Sequence, residues 1–199
     1  MLKICVLGTH GSAKTSLVYK LAAFYKMKEL NTIVIHETAR TSPFPINKAA
    51  IPKTTLHLMS TQLTKELEAD AQGFELAIID RSLRDAPVYI NYLGRGNKYT
   101  KKMEEFSTMW AETYDVMVYL EPDENRSVGG DGIRSEDKDY QLEIRNAFRD
   151  MIADLRNVYK ENINIVESGS WRVFDNEECS RLINEIDNII ESKKETTLV

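Results

Sequence analysis

The chain has 199 residues, a formal net charge of -5 at neutral pH and 42% hydrophobic residues. A chain of this length can bury a sizeable core without disulfides or a structural metal, so we expect a single domain over residues 1–199. The negative balance argues against an extended nucleic-acid-binding surface, because such a surface needs clustered Lys and Arg.

The N-terminus and the cysteines bear on the cellular compartment. The first apolar stretch, residues 2–7, is too short for a signal peptide, and no stretch approaches the ~20 apolar residues of a membrane span. Cys5 and Cys179 form neither a disulfide framework nor a metal-ligand cluster, which fits a reducing environment. We therefore expect a cytoplasmic protein that does not interact with a membrane.

Five short apolar runs recur along the chain, and turn residues and helical patterns lie between them. They cover residues 4–7, 32–35, 76–79, 116–120 and 163–166. Unbroken apolar runs are typical of strands that are covered on both faces. Between the second and third runs, Leu56, Met59, Leu63 and Leu67 fall at helical spacing. The alternation predicts an α/β protein with a parallel sheet and right-handed crossovers.

The first run is followed at once by the segment Gly8-Thr9-His10-Gly11-Ser12-Ala13-Lys14-Thr15, then by Ser16 and an amphipathic helical pattern. This is a Walker A pattern in the strand, loop and helix context that the motif requires. Backbone N–H groups of such a loop and the helix N-terminus bind phosphate oxygens. We therefore predict that residues 8–16 bind a nucleotide, ATP or GTP, with Mg²⁺.

Three side chains of this loop need a separate interpretation. Lys14 is expected to bring a positive charge to the β and γ phosphates, and Thr15 to offer its hydroxyl to Mg²⁺. Ala13 departs from the pattern, because a glycine usually precedes the lysine, and its Cβ would strain the loop at a positive φ. The alternative is a tight strand-to-helix turn with an incidental Lys-Thr pair. His10 is interpreted as a loop filler.

Polar residues also follow the second run, where Glu37 and Arg40 stand close together. In a doubly wound sheet, residues at the carboxyl ends of the strands line the site. Glu37 is either a general base toward a substrate hydroxyl or the ion-pair partner of Arg40 or Arg81. Arg40 and Arg81 are candidates for binding an anionic substrate, since guanidinium groups suit phosphate and carboxylate, or they are satisfied ion pairs.

The third run ends in Asp80-Arg81-Ser82, with Asp85 following on a helical pattern. An acid placed directly after a buried strand is costly unless it meets a cation or a metal. We therefore predict that Asp80 serves Mg²⁺, with helix capping as the alternative, while Ser82 is the better capping residue.

A charged, glycine-containing segment, residues 123–139, follows the fourth run and contains Arg126 and Arg134. Arginines on a closing loop can neutralise the charge that develops on a transferred phosphate. Arg134, which follows an Asp-Gly turn, is the preferred candidate for this catalytic role. The alternative is a flexible polar surface loop.

Together these segments resemble the kinase-like branch of P-loop NTPases, which includes thymidylate kinases, deoxynucleoside kinases and the ribosylnicotinamide kinase domain. The resemblance covers residues 4 to about 170. It rests on the Walker A segment, Glu37, Asp80-Arg81-Ser82 and Asp131-Gly132-Ile133-Arg134. The run from Glu37 to Arg40, joined to Pro43-Phe44-Pro45-Ile46-Asn47, is most similar to small AAA-type ATP-binding proteins related to the last of these kinases.

The resemblance implies a three-layer fold with a five-stranded parallel sheet in the order 2-3-1-4-5, helices on both faces and a flexible lid at about 123–139. It also implies ATP at the Walker A loop and a second substrate between Glu37, Arg40 and Asp85. Trp171 stands where related kinases contact the adenine base, or it packs under its own loop.

These observations leave more than one function open. The first hypothesis is a phosphotransferase that moves the γ-phosphate of Mg·ATP to a small nucleoside-like acceptor. The second is a regulatory or partner-coupled NTPase without such an acceptor. A third is a nucleotide-binding protein with little catalysis. The sequence names neither the acceptor nor the oligomeric state, and a homodimer is left open.

Overall fold

The computed structural model describes residues 1–125, 135 and 137–197, with the side chains of residues 161 and 195–197 outside that description. Its five strands form one parallel sheet in the order β2-β3-β1-β4-β5. They are β1 (Leu2–Leu7), β2 (Thr32–Ile35), β3 (Leu76–Asp80), β4 (Val116–Glu121) and β5 (Ile165–Gly169). The predicted fold class and strand order are confirmed.

Helices cover both faces of this sheet. They are α1 (Lys14–Met27), α2 (Pro52–Ala71), α3 (Asp85–Tyr92), α4 (Lys98–Trp110), α5 (Lys138–Tyr159) and α6 (Asn176–Thr197). One core cluster joins the sheet to α1 and α6, and the other joins it to the opposite layer, chiefly α5. This arrangement gives three layers with β1 at the centre.

The central strand shows why its sequence is an unbroken apolar run. Ile4 and Val6 pack into the core on the α1 side, while Cys5 and Leu7 pack into the core on the α5 side. All four side chains are completely buried. Burial of each large aliphatic side chain contributes about 1.5–3 kcal/mol, so a strand covered on both faces admits no polar alternation.

Helix α2 exists as predicted, but the leucines at helical spacing do not mark its buried face. Met59 is buried, whereas Leu67 is 51% exposed. The buried positions include the polar residues Gln62 and Glu66. The reason is that this face packs on a polar network and on a cleft, so burial here follows hydrogen bonding and not hydropathy.

The predicted fifth strand was placed too early. Pairing with β4 begins at Ile165 and runs to Gly169, not over residues 163–166. β5 lies at the edge of the sheet, where Val166 is buried and Glu167 is exposed. An edge strand alternates with period two, and a search for continuous apolar runs misses its polar end.

The predicted lid, residues 123–139, lies largely outside the described residues, which omit 126–134 and 136. Helix α5 begins at Lys138, so the last two residues of the predicted segment are helical. Lys138 Nζ donates to Asp123 O at 2.9 Å and thereby joins the two ends of the segment. In the described part of the chain, no helix has the length and apolarity of a membrane span.

Candidate functional site

The loop between β1 and α1 has the backbone geometry of a phosphate-binding loop. Gly8 and Gly11 have φ angles of 138° and 73°, in the region that favours glycine. A Cβ at Gly8 would stand 2.6 Å from Leu120 O, so β4 leaves no room for a side chain there. The loop then leads into α1, whose first turn carries Thr15 and the exposed Ser16. In phosphate-binding loops this geometry lets backbone N–H groups point toward an anion.

Ala13 occupies the strained position anticipated from the sequence. Its φ and ψ are 59° and 22°, which is the left-handed helical region. For a residue with a Cβ this conformation costs about 1–2 kcal/mol. Ala13 directly precedes Lys14, the first residue of α1, so the strain lies where the loop turns into the helix.

Lys14 is buried inside the loop and bonded to it. Its Nζ donates to Thr9 O at 2.6 Å and to Ser12 Oγ at 3.4 Å. Burial, and after it the positive charge of Arg81, lowers the pKa of Lys14 to about 8. The negative charges of Asp80, Glu37 and Asp85 raise this pKa but do not cancel the shift. The ammonium is therefore a poorly solvated charge that an anionic ligand would stabilise.

Asp80 and Thr15 form the pair that the sequence assigned to a metal. Thr15 Oγ1 donates to Asp80 Oδ2 at 2.6 Å. Asp80 is 2% exposed, and its Oδ1 has no hydrogen-bond partner among the described residues. A buried carboxylate oxygen without a partner is costly unless a cation completes the site. Carboxylate and hydroxyl oxygens are ligands that Mg²⁺ prefers, so this pair fits Mg²⁺.

No group of three or more His, Cys, Asp or Glu side chains among the described residues is arranged to hold a metal on its own. Mg²⁺ is commonly held by one or two carboxylates together with substrate phosphates. Any metal at this edge of the sheet would therefore depend on the nucleotide for part of its ligand set.

The phosphate-binding loop is also held by α5, which the sequence did not indicate. Gln141 Nε2 donates to His10 O at 2.7 Å, and Thr9 Oγ1 donates to Gln141 O at 3.4 Å. The His10 ring packs against Tyr140 at 5.4 Å between centroids and is buried, in agreement with its interpretation as a loop filler. The two partners in these hydrogen bonds are separated by 131 and 132 positions in the sequence. No local sequence pattern could therefore have predicted them.

Three of the four residues predicted to bind a second substrate, Glu37, Arg81 and Asp85, meet at one ion-pair cluster, and Arg40 lines the same cleft. Arg81 Nε donates to Glu37 Oε1, and Arg81 Nη1 donates to Asp85 Oδ2 at 3.3 Å. The guanidinium also lies over the Tyr89 ring, 5.7 Å from its centroid. Arg81 thus makes the ion pairs of the second alternative, and its role as a substrate contact stays a prediction. Glu37 likewise takes the position of an ion-pair partner of Arg81, and its role as a base stays a prediction.

Burial and charge act in opposite directions on this cluster. Burial alone would raise the pKa of Glu37, but the charges of Arg81 and Lys14 outweigh it and hold that pKa below its usual value. Burial raises the pKa of Asp85, and Arg81 only partly offsets the shift. Although burial would lower the pKa of Arg81, its acidic neighbours, Glu37 first, raise it well above the ordinary range. Arg81 is therefore a permanent cation and Glu37 an anion at neutral pH.

The turn that presents Arg81 is capped by its own side chains. Arg84 N donates to Ser82 Oγ at 3.1 Å, and Ser82 N donates to Asp85 Oδ1 at 2.8 Å. The reciprocal pattern resembles a capping box in the turn before α3, while the residue at the N-cap of that helix is Arg84 and not Ser82. Asp85 thus has two tasks, since one carboxylate oxygen holds the turn and the other contacts Arg81.

A cleft opens beside the loop, between the β2 and β3 ends and helices α2 and α3. One part of its wall is charged and contains Glu37, Arg40, Arg81 and Asp85. The other part is mostly apolar and is lined by Ile46, Ala50, Leu58, Met59, Ala86 and Tyr89. The apolar wall comes mainly from residues 46–59, and the sequence indicated a helical pattern there without indicating a cleft. His10, which belongs to the phosphate-binding loop, also lines this cleft, so the cleft adjoins the loop.

Of the remaining predicted residues, the structure describes Trp171 but not the two arginines of the lid. Arg134, together with Arg126, lies outside the described residues, so its assignment to a lid stays a prediction. Trp171 is 49% exposed, and its indole lies against Gly169, where an added Cβ would stand 2.5 Å from Nε1. The side chain thus packs on its own loop and keeps much of its surface in solvent.

Comparison with known proteins identifies the fold. No curated protein matches the chain in sequence. A deoxyadenosine kinase from M. mycoides, solved with bound dATP, superposes with a TM-score of 0.62 at 17% identity, covering 94% of this chain and 100% of that one. A thymidylate kinase from Candida albicans superposes with a TM-score of 0.64 at 17% identity, covering 97% and 92%. At this identity the likeness establishes the fold alone.

A family model described as an AAA domain matches residues 3–172, a range that contains β1 from its second residue, the other four strands and the complete cleft. The phosphate-binding loop, the Thr15 and Asp80 pair and the strand order 2-3-1-4-5 agree with that match. The chain belongs to this AAA domain family and is a P-loop NTPase with the kinase-like fold.

Proposed function

We propose that this protein is a phosphotransferase that moves the γ-phosphate of Mg·ATP to a hydroxyl group of a small nucleoside-like acceptor. The main support for this proposal is the cleft beside the phosphate-binding loop. One wall of this cleft is apolar, and the other is charged and contains Glu37 and Arg81. An NTPase that only hydrolyses nucleotide needs no such second pocket. A kinase needs one and uses it to keep water from the phosphate.

The phosphate side of the site works through Lys14. In the structure the Lys14 ammonium donates to Thr9 O. The oxygens of a bound phosphate would replace this carbonyl oxygen and form a stronger, charge-assisted hydrogen bond. Thr15 and Asp80 would hold Mg²⁺, which supplies charge neutralisation between the β and γ phosphates. Catalysis of this kind depends on positioning and electrostatic stabilisation, with little covalent chemistry from the protein.

The acceptor side works through Glu37. Its carboxylate is ionised and held by Arg81, so it can accept the proton of the acceptor hydroxyl. As the new bond forms between the hydroxyl oxygen and the γ-phosphorus, the bond from that phosphorus to the bridging oxygen of ADP breaks. The lowered pKa makes Glu37 a weak base, which suits a reaction in which the proton leaves late.

The charge of the cleft favours an acceptor without a phosphate group. Among the described lining residues, the positive charges of Arg40 and Arg81 balance the negative charges of Glu37 and Asp85. Arg81 is already shared between two carboxylates, so a bidentate phosphate contact would compete with both. A nucleoside, with hydroxyls at one end and an apolar ring at the other, matches this wall better than a nucleotide.

A screen of ADP release tests the proposal. Mg·ATP is mixed with adenosine, thymidine or nicotinamide riboside, and in parallel with the matching 5′-monophosphates. We expect ADP release to depend on one of the phosphate-free acceptors, with one phosphorylated product per ADP. The Lys14→Ala variant is the blank, since it lacks the phosphate contact. ADP release at the same rate without any acceptor would favour the partner-coupled NTPase instead.

A further inference from the structure

The turn at residues 80–85 holds Arg81 in a conformation that is rare for its residue type. Arg81 has a φ of 85°, in the region that favours glycine. A strained residue of this kind persists only where the surrounding contacts determine its conformation, and such residues cluster at functional sites. The contacts that determine Arg81 can be followed group by group.

Each backbone N–H from residue 81 to residue 85 donates a hydrogen bond. The acceptors, in chain order, are Val6 O, Asp85 Oδ1, Tyr114 Oη, Ser82 Oγ and Ser82 O. Val6 belongs to β1, and its bond continues the sheet by one residue. Tyr114 is the side chain from outside the turn that fixes it on the other side, through Leu83 N at 3.1 Å.

The hydroxyl of Tyr114 is itself oriented by Glu66. Tyr114 Oη donates to Glu66 Oε1 at 2.9 Å, which leaves an oxygen lone pair for Leu83 N. Both side chains are almost completely buried, at 2% and 1% exposure. A hydroxyl that donates to a carboxylate and accepts from a backbone N–H has its rotation fixed at both ends.

Glu66 receives three more hydrogen bonds, which hold its carboxylate in one orientation. Trp110 Nε1 and Lys3 Nζ donate to Oε2 at 2.9 and 3.3 Å. Gln62 Nε2 donates to Oε1 at 3.1 Å. The Lys3 ammonium also lies 4.6 Å from the centroid of the Trp110 ring and 5.0 Å from that of Tyr114. A buried carboxylate is tolerated only with such complete pairing, and the result is a rigid network.

The network reaches the cleft at two points. Gln62 lines the cleft directly, while Tyr114 acts through Leu83 on the turn that carries Arg81. Because both Arg81 and Asp85 belong to that turn, a shift in the turn would displace the Arg81 ion pair with Glu37. The network therefore lies behind the charged wall of the cleft, without contact with the phosphate-binding loop in any of these hydrogen bonds.

We propose that Tyr114 and Glu66 are positioning residues that hold Arg81 in its strained conformation, and through Arg81 place Glu37 against the acceptor. The structural part of this proposal depends on the described geometry alone. Its catalytic consequence rests on the proposed phosphotransferase function. The competing explanation is a buried polar network that stabilises the fold and has no effect on Arg81.

Nuclear magnetic resonance of the Arg81 side chain separates these explanations. In a proton–nitrogen correlation spectrum, the Arg81 Nε–H signal is identified by its absence from the Arg81→Lys variant. The ion pair with Glu37 should protect this hydrogen from exchange with water. Tyr114→Phe removes the hydroxyl that donates to Glu66 Oε1 and accepts from Leu83 N. The lost bond to Leu83 N alone should make exchange at Arg81 Nε–H about tenfold faster, since that bond fixes the turn.

Tyr159→Phe is the matched control. Tyr159 is another buried tyrosine, and its hydroxyl donates to Thr108 O at 2.5 Å, so this variant also loses one bond between a hydroxyl and the backbone. It should lower the melting temperature less than Tyr114→Phe, which loses two hydrogen bonds, and it should leave the Arg81 signal unchanged. If Tyr114→Phe behaves like this control at Arg81 Nε–H, the network is only structural and the proposal is wrong.

A second variant covers the case in which Tyr114→Phe does not fold. Glu66→Leu combined with Lys3→Met removes both charges of the buried pair, so neither is left unpaired. The Tyr114 hydroxyl then loses the acceptor that orients it, and exchange at Arg81 Nε–H should again accelerate. An unchanged Arg81 signal in this folded double variant would overturn the role of Glu66.

Activity measurements on the same proteins test the catalytic consequence. With adenosine and thymidine as probe acceptors, Tyr114→Phe should lower kcat by about tenfold, matching the loss of one hydrogen bond, while the Kd of Mg·ADP stays at the wild-type value. An equal loss in both quantities would show a general disturbance and contradict positioning through Arg81. If neither nucleoside supports ADP release in the wild type, the proposed function fails for these acceptors, and the exchange data still decide the structural role.

Discussion

The two sides of the cleft are built on different principles. On the phosphate side, Lys14 bonds to a carbonyl of its own loop, and Asp80 Oδ1 has no partner among the described residues. On the acceptor side, Glu37, Arg81 and Asp85 are already paired with one another. The comparison indicates that the phosphate side gains its strong contacts from the ligand, whereas the acceptor side is organised before any ligand binds.

Ala13 on the phosphate side and Arg81 on the acceptor side both have a positive φ, but the strain is held in different ways. Ala13 has a φ of 59° and lies inside a loop whose neighbouring glycines share unusual angles. Arg81 has a φ of 85° and is fixed by hydrogen bonds on both sides of its turn. Strain at Ala13 is thus a local cost of the alanine side chain, while strain at Arg81 belongs to a longer network. The predictions below test this contrast.

The largest effect is expected from Lys14→Ala on the phosphate side. No other described side chain in the loop can replace the ammonium, so ATP affinity should fall by about 100-fold and turnover should be lost. The melting temperature without nucleotide should not fall, because a buried, poorly solvated charge is removed. Calorimetric titration with Mg·ATP measures the affinity, and wild-type binding would contradict the assignment of the phosphate-binding loop.

A pair of carboxylate variants should separate the two sides from each other. Glu37→Gln keeps an oxygen that can accept from Arg81 Nε, so Mg·ATP affinity should stay near wild type while transfer falls by about 10²-fold. Asp80→Asn should instead weaken Mg²⁺-dependent nucleotide binding, since Asp80 is paired with Thr15 at the phosphate side. If Glu37→Gln lowers melting temperature and Mg·ATP affinity together, Glu37 is a structural ion-pair partner and not a base.

The pH dependence of nucleotide binding should report on Lys14. Its pKa in the folded protein is about 8, so above that pH the ammonium increasingly loses its proton. Binding ATP then requires proton uptake, and affinity should fall by up to about tenfold per pH unit above 8. Calorimetry between pH 7.5 and about 9.5 measures this slope. Lys14→Ala should show no such slope, and a flat wild-type profile would mean that Lys14 stays charged throughout.

The same pKa has a consequence for stability, with the opposite sign. The unfolded chain has an ordinary lysine pKa of 10.5, so between about 8 and 10.5 it binds more protons at this site than the folded chain. The contribution of Lys14 to the free energy of unfolding therefore rises with pH in that window, by at most about 1.4 kcal/mol per unit. Chemical denaturation of wild type and Lys14→Ala without nucleotide isolates this contribution as a difference.

The smallest expected effect concerns the strain at Ala13. Ala13→Gly removes the Cβ penalty at a positive φ and adds chain entropy to the unfolded state, so a net stabilisation of about 0.5–1 kcal/mol is expected. Urea denaturation measures the change. The same substitution at Ala22, in the middle of α1, is the control and should destabilise by about 1 kcal/mol. A loss of stability in Ala13→Gly would show that the loop does not hold the left-handed conformation in solution.

The sequence by itself determined the features that depend on neighbouring residues. The phosphate-binding loop is contiguous, and its glycines, Lys14 and Thr15 could be assigned because strand, loop and helix follow one another directly. The central strands could be placed because burial on both faces requires an unbroken apolar run. The sheet order came from the resemblance to known P-loop kinases, since spacing alone predicts a parallel sheet without its order.

Only the tertiary structure decided which polar groups meet. Glu37 and Arg81 are 44 residues apart, and the sequence left the partner of Glu37 open between Arg40 and Arg81. The buried face of α2 was missed for a related reason, because Glu66 is stabilised by Lys3 and Tyr114 from distant elements. Hydropathy records the tendency of one residue to leave water, whereas burial of a charge depends on partners that only the folded chain brings into contact.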